Sequence, residues 1–190
     1  MSKILGLTGP TGAGKSTVAA TAAEMGFFVV DCDLVARQVT YEKGVLAALA
    51  DAFGSDIIEN GELSRRTLAL RAFASPTATQ RLNEITLPVI VARIEEMIKG
   101  KESVLLDAPT LFESGLNTRC NAVIAVLAAE STRRERITVR DALSSDLADA
   151  RLSAAKLDEF FISRCDEVIY NDGTLSELKV QAARVLSKYK

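Results

Sequence analysis

The sequence predicts an α/β domain organised on a parallel sheet with helices on both faces. Short, near-continuous apolar runs of β-branched character lie at Ile4 to Leu7, Phe27 to Val30, Val104 to Leu106, Val123 to Leu127 and Val168 to Tyr170, with helical stretches between them. Strands buried on both faces read this way, whereas half-exposed strands alternate. The first run also leads into glycines and then into an Ala- and Val-rich segment, Thr17 to Met25, so the chain opens as strand, loop, helix. At 190 residues and 48% hydrophobic, the chain suffices for one well-buried domain. It carries no internal repeat, low-complexity tract or flexible linker.

The loop holds Gly9, four further residues, then Gly14-Lys15-Ser16, the pattern that cradles phosphates. Glycines permit positive φ and close backbone approach, so successive N–H groups form an anion site at the positive end of the next helix. The expected nucleotide contacts are Gly12, Ala13, Gly14, Lys15, Ser16 and Thr17, with Lys15 on the β and γ phosphates and Ser16 on Mg²⁺. Pro10 has no amide proton. Because the phosphate-facing donors fall at Gly12 to Thr17, it is expected to cost little binding.

The second run ends in Asp31-Cys32-Asp33. Alternation along an extended segment sends both aspartates to one side and Cys32 to the other. Ligands of open α/β sheets bind beyond the carboxyl ends of strands, so a carboxylate here can take the proton of an attacking hydroxyl or help hold a metal. Asp33, further out, is the favoured base; the other reading is that it caps a helix over Leu34 to Thr40. A base suits an alcohol acceptor, since an acceptor that is already a phosphate anion needs none.

Two excursions are longer than one crossover helix. Residues 33 to 100 show helical patterns at Val45 to Phe53, Arg65 to Phe73 and Leu82 to Lys99, broken at Gly54, Gly61 and Ser75-Pro76. Residues 130 to 165 read as a charged helical hairpin. Such insertions build an acceptor-binding region and a closing lid.

The third run ends in Asp107, placed to hold a Mg²⁺-bound water. The turn that follows offers Phe112 for stacking and Glu113 for polar contact with an acceptor. Arg133, Arg136 and Arg140 recur at helical spacing. Arginines on a mobile helix neutralise a transferring phosphoryl group, and Arg140 is the one assigned that task. Asn171-Asp172-Gly173 forms a turn after the last run, placing Asn171 and Gly173 to approach the adenine.

Composition narrows the chemistry. The formal charge of -2 supplies no general attraction for nucleic acid or anionic membrane. Cys32, Cys120 and Cys165 are odd in number and form no Cys-x-x-Cys pair, against a disulfide framework or zinc site. The N-terminus lacks a signal peptide's apolar core, and no stretch approaches the about 18 apolar residues of a membrane span. A reducing, cytoplasmic setting is expected, as a monomer or small homo-oligomer. With no histidine in the chain, proton transfer near neutral pH falls to carboxylate, lysine, tyrosine or cysteine. No Asn-Lys-x-Asp motif points to guanine.

Together these residues resemble the dephospho-CoA kinase family along essentially the whole chain. The likeness is carried by Gly6-Leu-Thr-Gly9 with Gly12-Ala-Gly-Lys-Ser-Thr17, by Val29-Val-Asp-Cys-Asp33 with Ala36-Arg-Gln38, and by Phe53-Gly54 through Gly61-Glu-Leu-Ser-Arg65. It continues through Leu82-Asn83, Pro88, Pro109-Thr-Leu-Phe-Glu113, Arg136, Arg140-Asp141, Arg151 and Asp166-Glu-Val-Ile169. The resemblance implies a three-layer P-loop NTP hydrolase fold of the nucleoside-monophosphate-kinase type: a five-stranded parallel sheet, a helical acceptor-binding region and a helical lid. It implies a core of residues 1–32, 101–130 and 166–190, an acceptor region of about 33–100 and a lid of about 131–165. The implied reaction is ATP-dependent, Mg²⁺-assisted phosphorylation of the ribose 3′-hydroxyl of dephospho-CoA. Asp33 is then the base, Lys15 and Arg140 hold phosphates, and Arg37, Arg65, Phe112 and Glu113 surround the acceptor. The chain departs from the family pattern at Pro10, Leu87, Thr110, Ala155 and Phe161. The alternatives are a kinase of another small alcohol or nucleoside, and a kinase-like nucleotide-binding protein that transfers nothing.

Overall fold

The computed structural model describes residues 2–59, 61–142 and 144–190. Its strands are, in chain order, β1 (Lys3–Thr8), β2 (Phe28–Asp31), β3 (Ile58–Glu59), β4 (Glu62–Leu63), β5 (Ser103–Asp107), β6 (Ala122–Leu127) and β7 (Glu167–Tyr170). Its helices are α1 (Lys15–Glu24), α2 (Cys32–Val39), α3 (Lys43–Phe53), α4 (Arg65–Ala72), α5 (Pro76–Ile98), α6 (Glu130–Asp141), α7 (Ser145–Ser153), α8 (Asp158–Ile162) and α9 (Leu175–Ser187). Among the described residues no helix is long and apolar enough to cross a membrane. The chain divides into two compact units, residues 1–31 with 100–190, and residues 32–99.

The first unit holds a five-stranded parallel sheet in the order β2-β5-β1-β6-β7. These strands are the five apolar runs of the sequence. Every residue of β6 is buried, and its side chains alternate between two cores. Ile124 and Val126 join Leu5, Leu7 and Leu105 under α1 and α9, packed with Val18, Ala22, Leu178, Ala182 and Leu186. Ala125 and Leu127 face the other way and pack with Phe161 of α8. Phe161, one of the departures from the family pattern, is therefore a core side chain here, 4% exposed. Helix α9 starts from a capping box in which Thr174 and Glu177 satisfy each other's backbone N–H groups.

Register brings the functional ends together. Leu7 and Asp31 both pair with Asp107, so β1, β2 and β5 end at one edge of the sheet. That edge carries the glycine loop.

The second unit is mainly helical, around Val35, Val39, Leu49, Ile57, Ile90 and Ile94. It includes the small antiparallel hairpin β3–β4, too short to leave a period in the sequence. Ser75-Pro76 lies between α4 and α5, as expected, and also begins α5. The Ser75 hydroxyl accepts the Ala78 N–H at 3.2 Å, and Pro76 occupies the first turn, where its missing donor costs nothing. Helix α5 consequently starts six residues before Leu82 and continues through Pro88 to Ile98. The expected hairpin at 130–165 is three helices, α6, α7 and α8.

Candidate active site

The loop between β1 and α1 is shaped by three glycines with left-handed φ: Gly9 at 136°, Gly12 at 78° and Gly14 at 105°. Each also meets a neighbour too closely for a side chain. A Cβ would lie 2.2 Å from the Val126 carbonyl oxygen at Gly9, 2.8 Å from the Arg133 carbonyl oxygen at Gly12, and 2.3 Å from Asn171 Nδ2 at Gly14. The sheet, the root of α6 and the turn after β7 thus press on the loop from outside.

Lys15 is the first residue of α1 and folds back over the loop. Its Nζ donates to the carbonyls of Gly9 at 2.7 Å and Pro10 at 3.1 Å. Pro10 thus contributes a carbonyl acceptor to this fold-back. Ala13 is fully buried, while Ser16 and Thr17 lie in the first turn of α1, with Ser16 exposed. A glycine-shaped loop, the N-terminus of α1 and an ammonium meet here, the features from which phosphate sites are built.

Helix α6 meets this loop at its root. Arg136 donates to the Gly12 carbonyl at 3.4 Å and to the main-chain and side-chain oxygens of Asn171 at 3.2 and 3.4 Å. Asn171, 5% exposed, donates Nδ2 to the Ala13 carbonyl at 2.8 Å. Asp172 accepts the N–H of Ala129, just before α6, at 2.7 Å. Arg133 is buried, with Nε donating to the Ala128 carbonyl at 3.0 Å. The three arginines expected on one helical face therefore divide: Arg133 turns inward, Arg136 grips the loop, and Arg140 reaches outward. Arg140 forms a two-pronged pair with Asp141 at 2.7 and 2.9 Å, and Arg151 joins the same carboxylate. Hydrogen bonds from Arg140 first, and then from Arg151, hold Asp141 down to about 2.

Asp107 lies half-buried at the end of β5. Asp33 is exposed, but not for the reason strand alternation supplied. Strand β2 stops at Asp31 and α2 begins at Cys32, so Asp33 occupies the first turn of a helix, beyond the cap position. Cys32 is buried between the two exposed aspartates. On the same unit of the chain, Arg65 donates to the Arg37 carbonyl at 3.2 Å and to the Tyr41 hydroxyl at 3.3 Å, with its guanidinium 5.1 Å from the Tyr41 ring centre. Arg37 and Arg65 are thereby gathered, and Tyr41 is a member of that group the sequence reading had not singled out.

In the sheet-bearing unit, Phe112 meets Phe160 of α8 edge to face at 5.6 Å, and Glu113 lies 4.0 Å from Lys156. Gly173 is exposed in the turn after β7. Burial pushes the Cys120 thiol up to about 12 and Cys165 to about 11, which removes both from proton transfer near neutral pH. Among the described residues, no three acidic, cysteine or histidine side chains cluster as a metal cage.

The family model for dephospho-CoA kinase matches residues 3–177. The chain belongs to the dephospho-CoA kinase family. A dephospho-CoA kinase of Corynebacterium jeikeium (strain K411) is 42% identical over 185 residues, covering 93% of this chain and 94% of that protein. Among solved structures, TT1252 from Thermus thermophilus superposes with a TM-score of 0.87 at 30% identity, covering 100% of this chain and 98% of the other. Shikimate kinase from Bacteroides thetaiotaomicron superposes at 0.61 with 13% identity, covering 97% and 98%, a likeness of fold alone. The likeness to the shikimate kinase is therefore one of overall fold, while the sequence likeness lies with the dephospho-CoA kinases.

Proposed function

We propose that this chain transfers the γ-phosphoryl group of ATP to the ribose 3′-hydroxyl of dephospho-CoA, giving coenzyme A and ADP. The observation that carries the reading is the glycine loop with Lys15 folded over it, in a chain that matches the family along 3–177. Loop amides from Gly12 to Thr17 and the Lys15 ammonium hold the nucleotide phosphates. Asp33 accepts the proton of the 3′-hydroxyl as its oxygen attacks the γ-phosphorus, and the bond to the β-phosphate oxygen breaks with ADP leaving. Arg140, released from Asp141, neutralises charge on the transferring group. Arg37, Arg65, Phe112 and Glu113 hold the acceptor, and Gly173 borders the adenine.

The donor set suits Mg²⁺. One hydroxyl, Ser16, and one carboxylate, Asp107 through a water, fit an ion that keeps several waters and takes most other ligands from phosphate oxygens. When bound, it would neutralise charge on the β and γ phosphates. The reaction is placed in the cytoplasm, with no nucleic-acid or membrane partner.

The test offers dephospho-CoA, shikimate, gluconate and nucleosides as acceptors in parallel. Dephospho-CoA should be strongly preferred, and Asp33→Asn should lose on the order of 10²- to 10⁴-fold in turnover while still binding ATP. Preference for another alcohol would replace the substrate, and unchanged turnover would take the base role from Asp33.

A further inference from the structure

Two polar side chains near the loop have no role in the chemistry just described, yet both are spent on its backbone. Asn171 comes from 158 residues away in sequence, is 5% exposed, and delivers Nδ2 to the Ala13 carbonyl. Arg136 comes from the lid helix and ties the Gly12 carbonyl to Asn171 through both oxygens of that residue. In a trans peptide the carbonyl and the next N–H point in opposite directions. Anchoring the Ala13 oxygen therefore turns the Gly14 N–H away from Asn171. Anchoring the Gly12 oxygen fixes the plane of the next peptide, whose Ala13 N–H donates to the Pro10 carbonyl at 3.4 Å inside the loop. The 2.3 Å that would separate a Gly14 Cβ from Asn171 Nδ2 shows how closely the anchor is applied.

We propose that Asn171 and Arg136 are positioning residues for the nucleotide phosphates, acting through the carbonyls of Gly12 and Ala13 to hold the loop amides in their anion-binding orientation. This deepens the reading of the loop as a nucleotide site and rests on it. It reassigns the Asn171 side chain from an adenine contact to a brace behind the loop. It also makes the root of the lid helix part of the phosphate site. Asp172 strengthens that connection by holding the N–H of Ala129 immediately before α6.

The test is equilibrium binding of ATP and of adenosine, without acceptor, to the full-length protein and to Asn171→Ala, Arg136→Ala, the double variant and Arg136→Lys. A brace predicts ATP affinity reduced about 10- to 100-fold in Asn171→Ala, the effect of leaving a buried carbonyl unmet, with adenosine affinity unchanged. Arg136→Lys, which keeps the charge and loses the fork, should lose less than Arg136→Ala. The double variant should lose less than the product of the single losses, because both act on one loop. Parallel loss of ATP and adenosine would assign Asn171 to the adenine and overturn the proposal. Undiminished ATP affinity in the variants would overturn it too. Should Asn171→Ala fail to fold, the Arg136 pair alone decides by the same ATP-to-adenosine ratio. Because dephospho-CoA is absent throughout, a wrong acceptor assignment leaves the result intact.

Discussion

The two ends of helix α6 carry arginines with opposite surroundings. At the root, Arg133 is buried and Arg136 is half-buried, and both donate to backbone carbonyls. At the tip, the Arg140 side chain is 61% exposed and pairs with Asp141 and hence with Arg151's carboxylate partner. The same residue type thus does different work three or four positions apart. A buried carbonyl stripped of its donor has nothing to replace it, so the root resists change. An ion pair with one partner largely in water is worth little, so releasing Arg140 from Asp141 should cost little.

The tip should yield the largest separation between activity and stability. Arg140→Ala should lower turnover about 10²- to 10³-fold, as removal of a donor to developing charge does, while melting temperature and ATP affinity hold nearly constant. A fall in melting temperature as large as that of a core truncation would erase the contrast. At the root, Gly14→Ala must adopt a φ of 105° and meet Asn171. Strain of that kind corresponds to roughly 10- to 100-fold in ATP affinity, read by titration. Undisturbed binding would mean the loop relaxes freely.

The smallest effect should come from acid. The folded Asp141 carboxyl sits at about 2, below its ordinary value of 3.8. A depressed folded value means that the contribution is fully present above the ordinary value and is lost as pH falls through the folded one. Between about pH 4 and about pH 2, wild type should therefore lose slightly more stability than Asp141→Asn, in urea melts at stepped pH. Curves that remain parallel would show the cluster to be energetically neutral.

The loop and the sheet were legible because their cause is local. Gly9, Gly14 and Lys15 sit at a fixed spacing, and apolar runs announce strands whatever lies far away. Asp33 was singled out for its place after a strand, although the backbone there is already helical. Ser75-Pro76 does separate two helices, but the second was placed six residues late because proline reads equally as a breaker or as the first residue of a helix, and the Ser75 hydroxyl decides between them. Asn171 was recognised as part of a turn, but its burial against Ala13 depends on a contact 158 residues distant. No local pattern encodes such a contact. The one nearby signal was Thr174-x-x-Glu177, a capping box that starts α9 and sets the length of the turn carrying Asn171.

If Lys15 and the glycine loop grip ATP for transfer to an alcohol, phosphoryl transfer must depend on both Lys15 and the acceptor. ADP release followed with and without dephospho-CoA, in wild type and in Lys15→Ala, tests it directly. Wild type should form ADP one for one with coenzyme A and release negligible ADP without acceptor, and Lys15→Ala should lose on the order of 10²-fold or more. ADP release that ignores dephospho-CoA, or that survives Lys15→Ala undiminished, would contradict it.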